Sequence, residues 1–187
     1  MGEANLFSET PYEIIGGKVV SMSPSASSSH STIIMNLAHI FTAYLLGKPC
    51  RVFSELDVRF TKENVFRPDF MVVCDKSKIK LTHIQGAPDL VVEVLSPRTA
   101  KYDRIHKLKT YGECGVREYW IVLPNEKAVE VYLLSGKSLE LDDIYTHWPK
   151  DILEEMLDEE KSKLVFEFKT SLFEDLIINL EDLFAKV

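Results

Sequence analysis

The sequence predicts an α/β fold built as one domain over residues 1–187, and three observations carry that prediction. Apolar runs of strand length occur at residues 66–74, 90–95 and 118–123. Apolar residues recur at helical spacing over residues 33–44 and again over 101–114. A chain of 187 residues, 45% hydrophobic and 27% charged, is long enough to bury a sheet on both faces.

Taken in order, Tyr12 to Ile15 and Lys18 to Val20 read as a hairpin, because Gly16-Gly17 supplies the positive φ of a tight turn. Residues 21–32 are serine-rich and run into Ile33, Leu37, Ile40, Phe41 and Tyr44 at helical spacing, so the serines read as loop and N-cap. Residues 52–60 alternate with period two and join 66–74 and 90–95 as the expected centre of a sheet. Residues 101–114 read as a helix with Ile105, Leu108, Tyr111 and Gly112 on one stripe and Gly115 as its stop. Residues 118–123 and 128–134 flank Pro124-Asn125-Glu126-Lys127 and read as a second hairpin. The acidic stretch 142–163 reads as partly helical, and 164–168 as a last strand.

The net charge of −7 opposes a polyanionic ligand at first sight. Its distribution changes that: 14 acidic and 5 basic residues lie in 139–187, leaving 15 acidic and 17 basic in 1–138. Arg98, Lys101, Arg104, Lys107 and Lys109 cluster against the single acid Asp103, which suits phosphate contact or, more blandly, a solvated helix face. The three cysteines, Cys50, Cys74 and Cys114, lack C-x-x-C spacing, so neither a disulfide framework nor a zinc knuckle is expected and a reducing cytoplasm fits. No segment has the apolar length of a membrane span or the pattern of an export signal.

Glu93 sits inside Leu90-Val91-Val92-Glu93-Val94-Leu95, and a carboxylate within an apolar strand is costly unless paired or metal-bound. It would be bland if it faced solvent from an edge strand or met a buried arginine. Asp69 opens a second apolar strand after Arg67-Pro68, so the two acids are able to point into one site. Asp89 shares strand parity with Glu93, but four strand residues span about 13 Å, too far for one ion. Two strand carboxylates suit Mg²⁺ or Mn²⁺, oxygen-seeking cations that keep waters and substrate phosphates in their shell. Phosphodiester hydrolysis uses such a cation together with a nearby lysine. In the helix after Glu93, Asp103, Lys107 and Tyr111 form an i, i+4, i+8 row while Lys109 lies on the opposite flank; the row is also an ordinary helical ion pair.

Pro68-Asp69, then Glu93-Val94-Leu95-Ser96-Pro97, then Asp103-Arg104-x-x-Lys107-x-x-x-Tyr111, then Gly115-Val116-Arg117-Glu118-Tyr119-Trp120 resemble the Uma-type family of restriction endonuclease-like proteins, within the PD-(D/E)XK nuclease superfamily. Tyr12-Glu13, the Met22-x-Pro24 loop leading to His30, and Ser171-Leu172-Phe173 extend the resemblance over nearly the whole chain. It implies a restriction endonuclease-like core, a mixed sheet flanked by helices. It also implies Asp69 and Glu93 as metal ligands and Lys107 as catalytic lysine. The E-x-K pattern would put that lysine at position 95, which is Leu95, so the resemblance implies a lysine moved into the following helix, with Lys109 as fallback. Ser96, Glu13, His30, Asp103 and Tyr111 are supporting candidates, and Arg98, Lys101 and Arg104 are candidate nucleic-acid contacts.

The expectation is therefore a Mg²⁺-dependent endonuclease acting on nucleic acid, DNA by the leaning of the superfamily, and paired as a homodimer if it cuts both strands. The alternatives are a noncatalytic nucleic-acid-binding or regulatory protein on the same fold and a paired-carboxylate glycoside hydrolase.

Overall fold

The computed structural model describes residues 12–21, 27–96 and 100–187; the Met22-x-Pro24 loop, Pro97 and Arg98 lie outside them. β1 (Tyr12–Ile15) and β2 (Lys18–Ser21) form the expected hairpin, with Gly16 and Gly17 at φ 56° and 78°. α1 (Ser28–Leu45) begins at Ser27, whose hydroxyl accepts the His30 N–H. There follow β3 (Arg51–Phe53), β4 (Val58–Arg59), β5 (Val65–Phe66), β6 (Phe70–Val73), β7 (Ile84–Gln85) and β8 (Leu90–Val94). A π-helical segment, Tyr102–Lys107, runs directly into α2 (Leu108–Cys114), which stops at Gly115 with φ 87°. β9 (Glu118–Leu123), β10 (Ala128–Ser135) and β11 (Ser138–Thr146) complete the main sheet. α3 (Lys150–Glu155), α4 (Asp158–Lys161), β12 (Glu167–Lys169), β13 (Ile177–Asn179) and α5 (Leu180–Leu183) follow.

The main sheet has the order β11-β10-β9-β8-β6-β3, parallel only between β8 and β9. A five-stranded sheet, β2-β1-β5-β4-β7, and the β12-β13 pair stand beside it. Strands buried on both faces read as continuous apolar runs, which is why β6, β8 and β9 carry Val, Ile and aromatic residues with little alternation. One face packs Phe70, Val72, Val92 and Trp120 against Ile33, Leu37 and Phe41 of α1 and against the C-terminal residues Ile178 and Leu183. The other packs Val91, Tyr119 and Ile121 against Phe66 and Tyr111. Gly112 lets α2 touch the main sheet, since a Cβ there would stand 2.9 Å from the Leu139 nitrogen and 3.0 Å from the Lys137 oxygen.

Five expectations change. Residues 52–60 do not make one central strand: they divide between the edge strand β3 and β4 of the smaller sheet, and the chain turns at Glu55, whose φ is 51°. Residues 142–146 belong to β11, an edge strand whose exposed Asp142 and Asp143 hide its β character in a charge-based reading. The strand expected over 164–168 begins at Glu167 and is not the last, since β13 follows and pairs with it. Within 101–114 the backbone N–H of Leu108 reaches the Asp103 carbonyl, one residue wider than an α-turn. That turn brings Asp103 and Lys107 inward and leaves Ile105, expected in the buried stripe, 53% exposed. Finally, Cys50 and Cys74 form a disulfide, because the β3·β6 register that pairs Arg51 with Val73 sets these two residues opposite each other. The expectation of a reducing compartment rested on unpaired cysteines and loses that footing. Among the described residues no helix is long and apolar enough to cross a membrane.

Candidate active site

The β6·β8 ladder pairs Phe70 with Val92 and Met71 with Val91, so one step further along it Asp69 stands against Glu93. The Asp69 Oδ2 atom accepts the Val94 N–H at 2.7 Å, which fixes its carboxylate at the end of β8. Alternation along β8 turns Glu93 to the face that α2 covers, the face of Val91 and Tyr111. There Glu93 Oε1 accepts from Lys107 Nζ at 2.9 Å and from the Tyr111 hydroxyl at 2.8 Å. The bland alternatives for Glu93, a solvent-facing edge strand or a buried arginine partner, do not hold: β8 lies inside the sheet, Glu93 is buried, and its partners are a lysine and a tyrosine.

Two further groups enter from outside the main sheet. Glu13, on β1, lies 3.2 Å from Lys107 through Oε1, and the same atom accepts the Arg67 N–H at 2.9 Å. His30, in the first turn of α1, brings Nε2 within 3.1 Å of Asp69 Oδ2, while its buried Nδ1 has no hydrogen-bond partner among the described residues. Asp103 Oδ1 lies 3.6 Å from Lys107 Nζ, and the Asp103 carbonyl accepts from the Tyr119 hydroxyl at 3.3 Å. Asp103 and Lys107, four residues apart on one helical face, both turn to the same buried point.

The electrostatics follow from the count. Among the described residues, Glu13, Asp69, Glu93 and Asp103 surround one lysine and one histidine, so carboxylates outnumber cations there. Burial, reinforced by Asp69, Asp103 and Glu13 and opposed by Lys107, pushes the Glu93 carboxyl well above its usual range. Burial alone would lower Lys107, but Glu93, Glu13, Asp103 and Asp69 outweigh it and keep the ammonium charged. Burial likewise lowers His30, and the hydrogen bond and charge of Asp69, with Glu55 beyond, reverse the effect and leave the imidazole raised.

This donor set fits a hard divalent cation. Its oxygens come from two opposed strands, and its surplus of carboxylates is what such a charge would balance. Among the described residues no three His, Cys, Asp or Glu side chains form a ready-made metal cage.

The remaining candidates sort by position. Lys109 is 75% exposed and pairs with Glu113, so of the two lysines it is Lys107 that joins the cluster. Ser96 is half-buried just past β8, with its carbonyl accepting the Ala100 N–H. Lys101 is exposed, whereas Arg104 is tied to Glu130 through Nε at 3.3 Å and Nη2 at 2.5 Å. Asp89 belongs to a structural tie at the far end of β8, accepting from Cys74 N at 2.6 Å and from Arg117 at 2.5 Å. Two contributors escape the sequence reading. One is the Arg67 amide, which anchors Glu13. The other is Glu118, a buried carboxylate at the start of β9, on the opposite face of the sheet. It accepts from Trp120 Nε1, Thr170 Oγ1, and the Ser171 amide and hydroxyl at 2.6–2.8 Å. Its saturation by four donors marks it as structural.

A crystal structure described as a putative nuclease belonging to DUF820, from Anabaena variabilis, superposes with a TM-score of 0.70 at 22% identity over 95% of this chain and 91% of that one. The likeness gives the fold. An uncharacterized protein of Synechocystis is 32% identical over 124 residues, and the match spans 65% of the length of each chain. The family model Uma2, described as "Putative restriction endonuclease", matches residues 5–159. That span contains Asp69, Glu93, Lys107, Glu13 and His30, and the chain belongs to the Uma2 family.

Proposed function

We propose that this protein is a divalent-metal-dependent endonuclease that hydrolyses phosphodiester bonds in nucleic acid, DNA by preference. Asp69 and Glu93 would hold Mg²⁺ or Mn²⁺, with Lys107 beside them. The observation that carries this reading is the convergence of two opposed strand carboxylates and one charged, buried lysine, 2.9 Å from Glu93. When bound, such a cation supplies a lowered pKa for coordinated water and neutralises charge on the scissile phosphate.

The protein's own groups do the rest. Lys107, kept protonated by its ring of carboxylates, offers positive charge to the phosphate oxygens rather than acting as a base. Since position 95 is Leu95, a half-buried residue packed in the core under α2, the lysine of this site reaches it from the π turn. His30 and the Val94 N–H hold Asp69 from two sides, which orients the carboxylate. Tyr111, packed among Phe60, Phe66 and Tyr119, fixes the Glu93 oxygen that it shares with Lys107.

The test is a cleavage assay on linear and circular DNA and on RNA, with Mg²⁺, Mn²⁺ or a chelator. Cleavage that requires the metal and is lost in Asp69→Asn, with unchanged circular dichroism, supports the reading. Cleavage that persists in chelator or in the variant overturns it. Binding without cleavage on every substrate points instead to the noncatalytic alternative.

A further inference from the structure

Glu13 is a buried carboxylate to which the proposed reaction gives no task. It reaches the cluster from β1, in the smaller sheet, whereas Asp69, Glu93 and Asp103 belong to the main sheet or to the segment that follows it. Its Oε1 atom does two things at once, accepting the Arg67 N–H at 2.9 Å and lying 3.2 Å from Lys107 Nζ. Arg67 is two residues ahead of Asp69, so one oxygen is tied both to the chain that delivers one candidate ligand and to the lysine that occupies the other.

The lysine is shared. Its Nζ lies 2.9 Å from Glu93, 3.2 Å from Glu13 and 3.6 Å from Asp103, and an ammonium has three donors to divide among them. Glu93 Oε1 is the oxygen that Lys107 and Tyr111 hold, and a cation drawing on the same carboxylate would compete with the ammonium for its charge. A buried ammonium gives up one carboxylate only where another receives it, because an unpaired buried charge is expensive. Glu13 is the nearer of the two receivers, and the Arg67 amide holds its oxygen in place from behind.

We infer that Glu13 is a positioning residue that receives Lys107 when Glu93 turns to a divalent cation, so that it governs both metal affinity and where the lysine rests. The inference depends on Asp69 and Glu93 being the cation ligands. Glu13→Gln separates this role from a merely structural one: the amide oxygen still accepts the Arg67 N–H, and only the charge that draws Lys107 away is lost.

The experiment measures Mn²⁺ binding to the full chain by calorimetry, without nucleic acid, in the wild type, Glu13→Gln, Lys107→Met and the double variant. Glu13→Gln is expected to weaken Mn²⁺ about tenfold or more in the wild-type background and to change it by less than about twofold in the Lys107→Met background, where there is no lysine to redirect. Equal weakening in both backgrounds, which a plain through-space charge effect would give, overturns the inference while leaving the ligand reading intact. So does an unweakened Glu13→Gln. If Glu13→Gln does not fold, Lys107→Met alone decides, since it must bind Mn²⁺ more tightly than the wild type and overturns the inference if it does not. A wild type that binds no Mn²⁺ overturns the ligand reading and this inference together.

Discussion

Replacing Glu93 by glutamine distinguishes a carboxylate retained for chemistry from one retained for the fold. The amide has the same shape and keeps an oxygen for the Tyr111 hydroxyl, while Lys107 still has Glu13 at 3.2 Å and Asp103 at 3.6 Å. The sign of the stability change follows from the raised carboxyl. A group whose folded pKa exceeds its unfolded value contributes stability that is complete below the ordinary 4.5 and lost as pH rises through the folded value. At pH 8, well above the ordinary 4.5, that contribution is reduced, and Glu93→Gln should be unchanged or more stable by about 1–2 kcal/mol. Were Glu93 simply the structural partner of Lys107, its loss would cost about 3–5 kcal/mol, which for a chain of this size lowers Tm by about 6–20 °C. Thermal melts at pH 8 and at pH 4.5 read the difference, which should shrink at the lower pH. Cleavage should fall at least about a thousandfold, roughly 4 kcal/mol of transition-state stabilisation. A melting temperature that drops at pH 8 into the structural range refutes the reasoning, as does surviving cleavage.

Glu118→Ala should behave in the opposite way, since it orphans four donors, two of them, Trp120 Nε1 and Thr170 Oγ1, buried in the core. A loss of about 3–5 kcal/mol is expected in chemical denaturation, with cleavage retained below the melting transition. Reducing the Cys50–Cys74 disulfide, which closes a loop across a separation of 24 residues, should cost about 3–3.5 kcal/mol, read as a lower Tm with reductant; an unchanged Tm contradicts it. His30 is raised above 6.5 by Asp69, so its contribution is complete below pH 6.5 and is lost as pH rises through the raised value. The stability gap between wild type and His30→Gln should therefore narrow from pH 6 to pH 9, and a gap that does not vary with pH counts against the pair.

The site was legible in the sequence wherever its residues break a local rule. Glu93 stands out because its neighbours on β8 are apolar, and Asp69 because a carboxylate opens another apolar strand. Lys107 and Tyr111 follow from helical spacing, and the π turn preserves their partnership while ejecting Ile105. What stayed hidden depends on register and long-range pairing. Cys50 meets Cys74 only through two short strands, β3 and β6, whose alignment no turn signal announces. Glu118, which opens β9 directly after Arg117 and so breaks no local rule, finds donors 52 and 53 residues away at Thr170 and Ser171. The division of residues 52–60 between two sheets turns on the backbone at Glu55, and side-chain alternation does not report a residue of positive φ.

The most direct measurement of the central claim is a Mn²⁺ soak of crystals of the protein, with anomalous scattering recorded at the manganese edge. A peak lying between the Asp69 and Glu93 carboxylates, within about 2.0–2.3 Å of an oxygen of each, is the predicted result. A peak elsewhere on the molecule, with Lys107 still joined to Glu93 and neither carboxylate touched, would contradict it.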